Sequence, residues 1–192
     1  MARQDASERI LKAATRLFYA EGIRAVGVDA VAAAAGVTKR TLYYHFRSKD
    51  ALVAACLERR AHDAAAVPDL SPAAAAEAVL ARFDELHGWF RTDRFRGCPF
   101  VNAVTEVGAD GHPAVAIARR FKADRRAWFT ALLARAGAAD PDGLAAQLML
   151  LVDGAIVGAL VRGGPEPAAE AGAAARTLLA AAGILPSAAA AK

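Results

Sequence analysis

Lys39, Arg40, Thr41, Tyr43, Tyr44 and His45 stand within seven consecutive positions, interrupted only by Leu42. Together they offer ammonium, guanidinium, hydroxyl and imidazole groups, the chemistry that binds phosphate oxygens and base edges. Thr38, just before them, is a good helix N-cap. Leu42 and Phe46, four apart, would form the apolar back of a short helix that turns the polar groups outward. Lys39, Arg40 and Thr41 then lie near the helix start, the part that reaches base edges in a major groove, while Tyr43, Tyr44, His45 and Lys49 are better placed for phosphates. Catalysis finds no comparable foothold. His45, His62, His87 and His112 are scattered, and no HExxH, GxSxG, GxGxxG or phosphate-loop pattern occurs. Cys56 and Cys98 are too few and too far apart for a disulfide framework or a structural zinc site, which points to a reducing compartment and to no metal or cofactor.

The elements that must hold this cluster read as helices throughout. Alanine is over-used, 56% of the 192 residues are hydrophobic, and two-residue alternation is scarce. Ile10, Leu11, Ala14, Leu17 and Phe18 recur on one face of a first helix, with Asp5 and Glu8 as a capping box and Gly22 at its left-handed end. A short second helix fits 28–35, entered through Gly27 and closed by Gly36. The third begins after Thr38, and Ser48 caps a fourth along Leu52, Cys56 and Leu57, before Pro68 interrupts. Further helices are expected over 73–90, from Pro99 to Val107, after His112 to about Arg135, from Pro141 to Val161, and, after a turn from Gly163 to Pro167, to near Gly183. The longest apolar stretch, Leu144 to Val161, carries Gln147 and Asp153 and reads as a buried helix rather than a membrane span. The N-terminal MARQDASERI has no apolar run, so no secretory signal and a cytoplasmic location are expected.

Charge sharpens the division. Residues 1–66 hold 11 Lys and Arg against 7 Asp and Glu, whereas residues 67–192 hold 13 of each, so the whole +4 excess sits in the first third. Such asymmetry suits a nucleic-acid-binding module joined to a neutral partner domain. Two helices joined by a glycine turn, the second short and polar, have the layout of a helix-turn-helix. ERILKAATRLFYAEG followed by VDAVAAAAGVTKRTLYYHFRSKDAL closely resembles the N-terminal signature of the TetR family of repressors, over about Ser7 to Leu57. The resemblance rests on the AGV turn at Ala35 to Val37, TLYYHF at Thr41 to Phe46, and SKDAL at Ser48 to Leu52.

That resemblance implies an all-α homodimer with a three-helix DNA-binding head and an effector-binding core. It makes Thr38 the cap of the recognition helix and Lys39, Arg40, Thr41, Tyr43, Tyr44 and His45 the DNA contacts, with Lys49 close to the backbone. Many relatives carry Ser or Thr where this chain has Gly27, so a hydroxyl that would cap the second helix and touch a phosphate is missing. The expected organisation is a helix-turn-helix domain at 6–66, a helical effector-binding and dimerisation domain at 67–184, and a frayed tail at 185–192, about nine helices in all.

Beyond Leu57 the resemblance is to the family's general plan only. Phe83, Leu86, Phe90, Phe100, Val101, Val104, Phe121 and Trp128 concentrate apolar area that would line a pocket for a largely apolar small-molecule effector, with His87, Thr105 and Arg125 as polar anchors, alongside Asn102 and Glu106. Each of these side chains also suits an ordinary core. Cys98, at the N-cap position before Pro99 and near Arg94 and Arg96 in sequence, is a candidate reactive thiol. Leu151, Gly154, Ala155 and Gly158 form a small-residue stripe for a dimer interface, joined by Leu178. The expected function is a regulator, not an enzyme, that binds double-stranded palindromic operator DNA and is released by the effector. The alternative is an all-α protein-interaction module that never touches DNA.

Overall fold

The computed structural model describes residues 2–62, 70–108 and 111–185. The described residues form nine helices and no strand: α1 (Ala2–Glu21), α2 (Val28–Ala35), α3 (Lys39–His45), α4 (Lys49–His62), α5 (Pro72–Phe90), α6 (Pro99–Val107), α7 (Pro113–Arg135), α8 (Pro141–Arg162) and α9 (Glu166–Ala181). The all-α class agrees with the sequence reading. The Pro68 connector, and the expected tail beyond residue 185, lie outside the described residues.

Two compact units emerge from the packing. The first joins the N-terminal stretch through residue 64 with Cys98–Phe121, and the second joins 65–97 with Lys122 onward. By this packing α6 and the first turns of α7 belong to the first unit.

In the first unit, α1 packs against α2, α3 and α4. It buries Ile10, Ala14, Leu17 and Phe18, and α4 contributes Leu52, Val53, Cys56 and Leu57. One boundary differs from expectation: α1 starts at Ala2, so position 5 lies inside the helix and not at its start. The C-terminal end does follow the glycine rule. Gly22 takes φ 96, and a Cβ there would approach Glu106 Oε2 at 3.1 Å. That same carboxylate oxygen accepts a hydrogen bond from Arg24 N at 2.9 Å, tying the α1–α2 turn to α6. The left-handed backbone demands glycine at this position, and a Cβ would in addition press on the Glu106 carboxylate.

In the second unit, α9 packs on α5 and α8. Ser71 caps α5 by accepting from Ala74 N, and Asp140 caps α8 by accepting from Gly143 N ahead of Pro141, both caps that satisfy otherwise orphaned helix-start donors. Gly172 lets α9 approach α5 closely, since a Cβ there would lie 3.2 Å from the Phe83 Cβ. By length and mean hydropathy α8 is apolar enough to cross a bilayer. It nevertheless buries Leu144, Leu148, Val152 and Ile156 against its own unit and carries Asp153 in an ion pair with Lys122.

Candidate nucleic-acid interface

Three local interactions fix the recognition segment. Thr38 takes extended backbone angles and its hydroxyl accepts from Thr41 N, while the two threonine hydroxyls lie 2.9 Å apart. Leu42 is fully buried beneath α3, and Phe46 is half-buried at its end. Ser48 Oγ accepts from Ala51 N and starts α4 immediately afterwards. Gly36, in the left-handed region, closes α2 with its N–H on the Ala32 and Ala33 carbonyls, and this makes the tight turn between the two helices. Gly27 precedes α2 with no side-chain cap, as its missing hydroxyl requires.

With the apolar back held, the polar front faces outward. Arg40 is exposed, Tyr43 is 41% and Tyr44 58% exposed, and among the described residues they are two of only seven large hydrophobic side chains left in solvent. Tyr44 stands edge-on to the half-buried His45, ring centroids 5.3 Å apart. Lys49 is partly covered, its ammonium 6.0 Å from the centre of the Phe18 ring. The structure thus brings Thr38, Lys39, Arg40, Thr41, Tyr43, Tyr44, His45 and Lys49 onto one short segment and its exit. Thr41 is half-buried and bonded to Thr38, which makes it a cap partner as well as a surface group. A Thr38→Ala variant should lose about 1 kcal/mol of stability through its missing cap, within a usual range of about 0.5–2. Urea unfolding would read the loss, and Thr38→Asn should restore most of it.

The sequence reading missed Asp29 in the first turn of α2. Its carboxylate accepts from Lys39 Nζ at 3.0 Å, with both side chains more than half exposed. The hydrogen bond first, and the negative charge second, hold the Lys39 ammonium above its ordinary pKa. The cation is therefore intact at neutral pH but already partnered, and a carboxylate sits on a face that would meet phosphates. Asp29→Asn should leave the fold unchanged and free Lys39 for one further phosphate. The expected result is a log–log salt dependence of DNA binding steeper by about 0.9. Fluorescence anisotropy at several salt concentrations would measure it. Arg47, exposed in the turn between α3 and α4, is a second unforeseen cation beside the cluster; its signal was simply its place in the basic run.

The remaining nominated residues divide between the two units. In the first, Phe100 and Phe121 stack with centroids 3.8 Å apart, Val101 and Thr105 are exposed, Val104 is half-buried, and the Thr105 hydroxyl donates back to the Val101 and Asn102 carbonyls. Cys98 is buried as the N-cap residue of α6, with no side-chain cap bond. In the second, Phe83, Leu86 and Phe90 are buried and His87 is half-buried. Arg125 lies over the Trp128 ring at 5.6 Å, and burial, then the neighbouring Arg82 charge, pushes its guanidinium below the ordinary value. Of the expected dimer stripe, Ala155 is buried within the chain and Gly158 faces Pro167, where a Cβ would stand 3.2 Å away. Leu151 and Leu178 are half-buried, and Gly154 is exposed.

Comparison with known proteins bears on this geometry. Residues 10–56 match the family described as bacterial regulatory proteins, tetR family, and residues 109–182 match the tetracyclin repressor-like C-terminal domain. Over 96 residues the chain is 36% identical to the HTH-type transcriptional regulator SrpR of Pseudomonas putida, a match spanning 45% of each chain. A solved tetR transcriptional regulator from Streptomyces avermitilis is 37% identical, with TM-score 0.80 over 93% of this chain and 98% of that one. SCO4454, a TetR-family transcriptional regulator from Streptomyces coelicolor, is 30% identical with TM-score 0.80, over 93% and 96% of the two chains.

Proposed function

The chain belongs to the TetR family of transcriptional regulators, and from that premise we propose that it is a homodimeric repressor whose α3 enters the major groove of a palindromic operator. The outward face of α3, backed by fully buried Leu42, carries the reading. It suits an N-terminal, helix-start approach of Arg40 to base edges, with Tyr44 and Lys49 at the phosphates. Electrophoretic shift of DNA flanking its own gene would test it, with binding falling steeply as salt rises because phosphate-bound counterions are released. A flat salt dependence with any DNA would overturn the reading in favour of a protein-only module.

The dimer surface we propose is the outer face of α8. Four of the seven exposed large hydrophobics among the described residues, Leu150, Val157, Leu160 and Val161, lie on this one helix, and exposed Gly154 lies between them. Leu150, Gly154, Val157 and Val161 follow one another at helical spacing, so they form a single stripe. This differs from the stripe expected from the sequence, because Ala155 and Gly158 are engaged inside the chain.

Release of the operator by a largely apolar small molecule is the regulatory part of the proposal. Buried Leu86 and Phe90 supply apolar area in the second unit, and the Trp128 indole N–H is sealed from solvent without a hydrogen-bond partner. A buried donor of that kind favours a ligand acceptor. The same reading places the protein in the cytoplasm beside its DNA.

A further inference from the structure

Two half-buried arginines of the second unit, Arg82 on α5 and Arg125 on α7, lie close enough for each to feel the other's charge. Arg82 donates to Glu85 at 2.7 Å, with its own side chain 22% exposed and the carboxylate 65% exposed. The Arg125 guanidinium lies over the Trp128 ring, 5.6 Å from its centroid, a contact that steadies the plane of the fork. Burial first, and the Arg82 charge second, hold Arg125 below its ordinary pKa, while the Glu85 charge acts the other way.

Two guanidiniums against one carboxylate leave this group with a surplus positive charge, and a carboxylate that stands mostly in water offsets little of it. Holding like charges side by side half out of water is unfavourable, and leucine or methionine would fill the same space without that cost. The hydrogen bonds point the same way. Among the described residues, Arg82 Nε and Trp128 Nε1 are sealed from water with no acceptor. Buried donors in folded proteins are nearly always paired, so the group suits an acceptor that also carries negative charge. One carboxylate meets both needs, with a single charge and two oxygens that each accept more than one N–H bond. A phosphate dianion would overshoot the charge and lose more solvation on entering.

Building on the reading that a largely apolar small molecule releases the operator, we infer that this effector is a monocarboxylate whose acid is held by Arg82, Arg125 and the Trp128 indole N–H. The arginine pair then sets specificity: it selects acids from among the neutral molecules that an apolar lining alone would admit.

The chain has two tryptophans, so Trp89→Phe makes Trp128 the sole fluorescent reporter, and its emission is followed on the full chain with hexanoate and with neutral hexanamide of the same shape. Hexanoate should shift the emission saturably at millimolar concentration, and hexanamide should bind about tenfold more weakly or worse. Arg82→Gln and Arg125→Gln should each weaken hexanoate by about tenfold, as loss of a charge-assisted fork implies, and leave hexanamide unchanged. Arg125→Lys keeps the charge without the fork and should fall between; it carries the comparison if circular dichroism shows a glutamine variant unfolded. Hexanoate should also raise the melting temperature of the native chain and of neither glutamine variant. An emission that ignores hexanoate, that responds equally to hexanamide, or that responds unchanged in both glutamine variants would overturn the assignment. Operator release is read separately by mobility shift. Hexanoate binding without release refutes control through this site and upholds the acid site; release with no change at Trp128 refutes the acid site and upholds ligand control.

Discussion

Arg40→Ala is expected to weaken operator binding by about 1–3 kcal/mol per half-site and to relax base preference at one position in each. Arg40 is the exposed cation closest to the start of α3 with no carboxylate partner among the described residues, whereas Lys39 is held by Asp29. A guanidinium can grip a base edge through two parallel N–H bonds, so its loss removes discrimination as well as affinity. Tyr44→Phe should behave differently. It deletes only a hydroxyl from an exposed ring, and its effect should be smaller and equal on all sequences, as a phosphate contact requires. Anisotropy titrations against operator and single-base variants separate the two patterns. Should Arg40→Ala bind every sequence as tightly as the native chain does, α3 would not be the reading element.

This prediction was available from the sequence because the recognition segment is specified locally. Thr38 as cap, Leu42 four residues on and the glycine turn at Gly36 each act through neighbours within a few residues, and periodicity reports such neighbours well. Asp29 escaped notice for the opposite reason. Its bond to Lys39 spans ten residues and two helices, and no spacing rule brings the first turn of α2 against the first turn of α3. The Glu106 bond to the Arg24 amide, 82 residues apart, is more remote still. Glu106 was marked as a polar anchor for a ligand, and it instead secures a backbone turn.

Helix faces were legible only in part. α8 is apolar nearly all round, so its hydrophobic pattern cannot say which stripe meets its own unit and which meets solvent. Small residues looked like the place where another chain would approach. Gly158 instead admits Pro167 of the α8–α9 connection, and Ala155 is buried within the chain. The large side chains at 150, 157 and 161 were passed over because size alone suggests core, and tertiary packing left them outside.

Those large side chains carry the second strong prediction: a Leu150→Glu, Val157→Glu variant should be monomeric and should lose most of its operator affinity. In the single chain these positions are 74% and 56% exposed, so two carboxylates there meet water and the fold should be retained. In a dimer that buries well over ~1,200 Å², the same carboxylates lie on both subunits, four in all, and each unpaired buried charge costs several kcal/mol. In the proposed dimer, operator binding depends on both subunits, because two recognition helices must be held about 34–36 Å apart to occupy successive major grooves. A separated head has one half-site of contacts and no second helix to add to its effective concentration. Light scattering should therefore show half the native mass with unchanged helical circular dichroism, and the variant should still bind weakly to non-specific DNA through the intact basic face. If the variant stayed dimeric at micromolar concentration, the outer face of α8 would not be the subunit contact, and the exposed stripe would need another occupant.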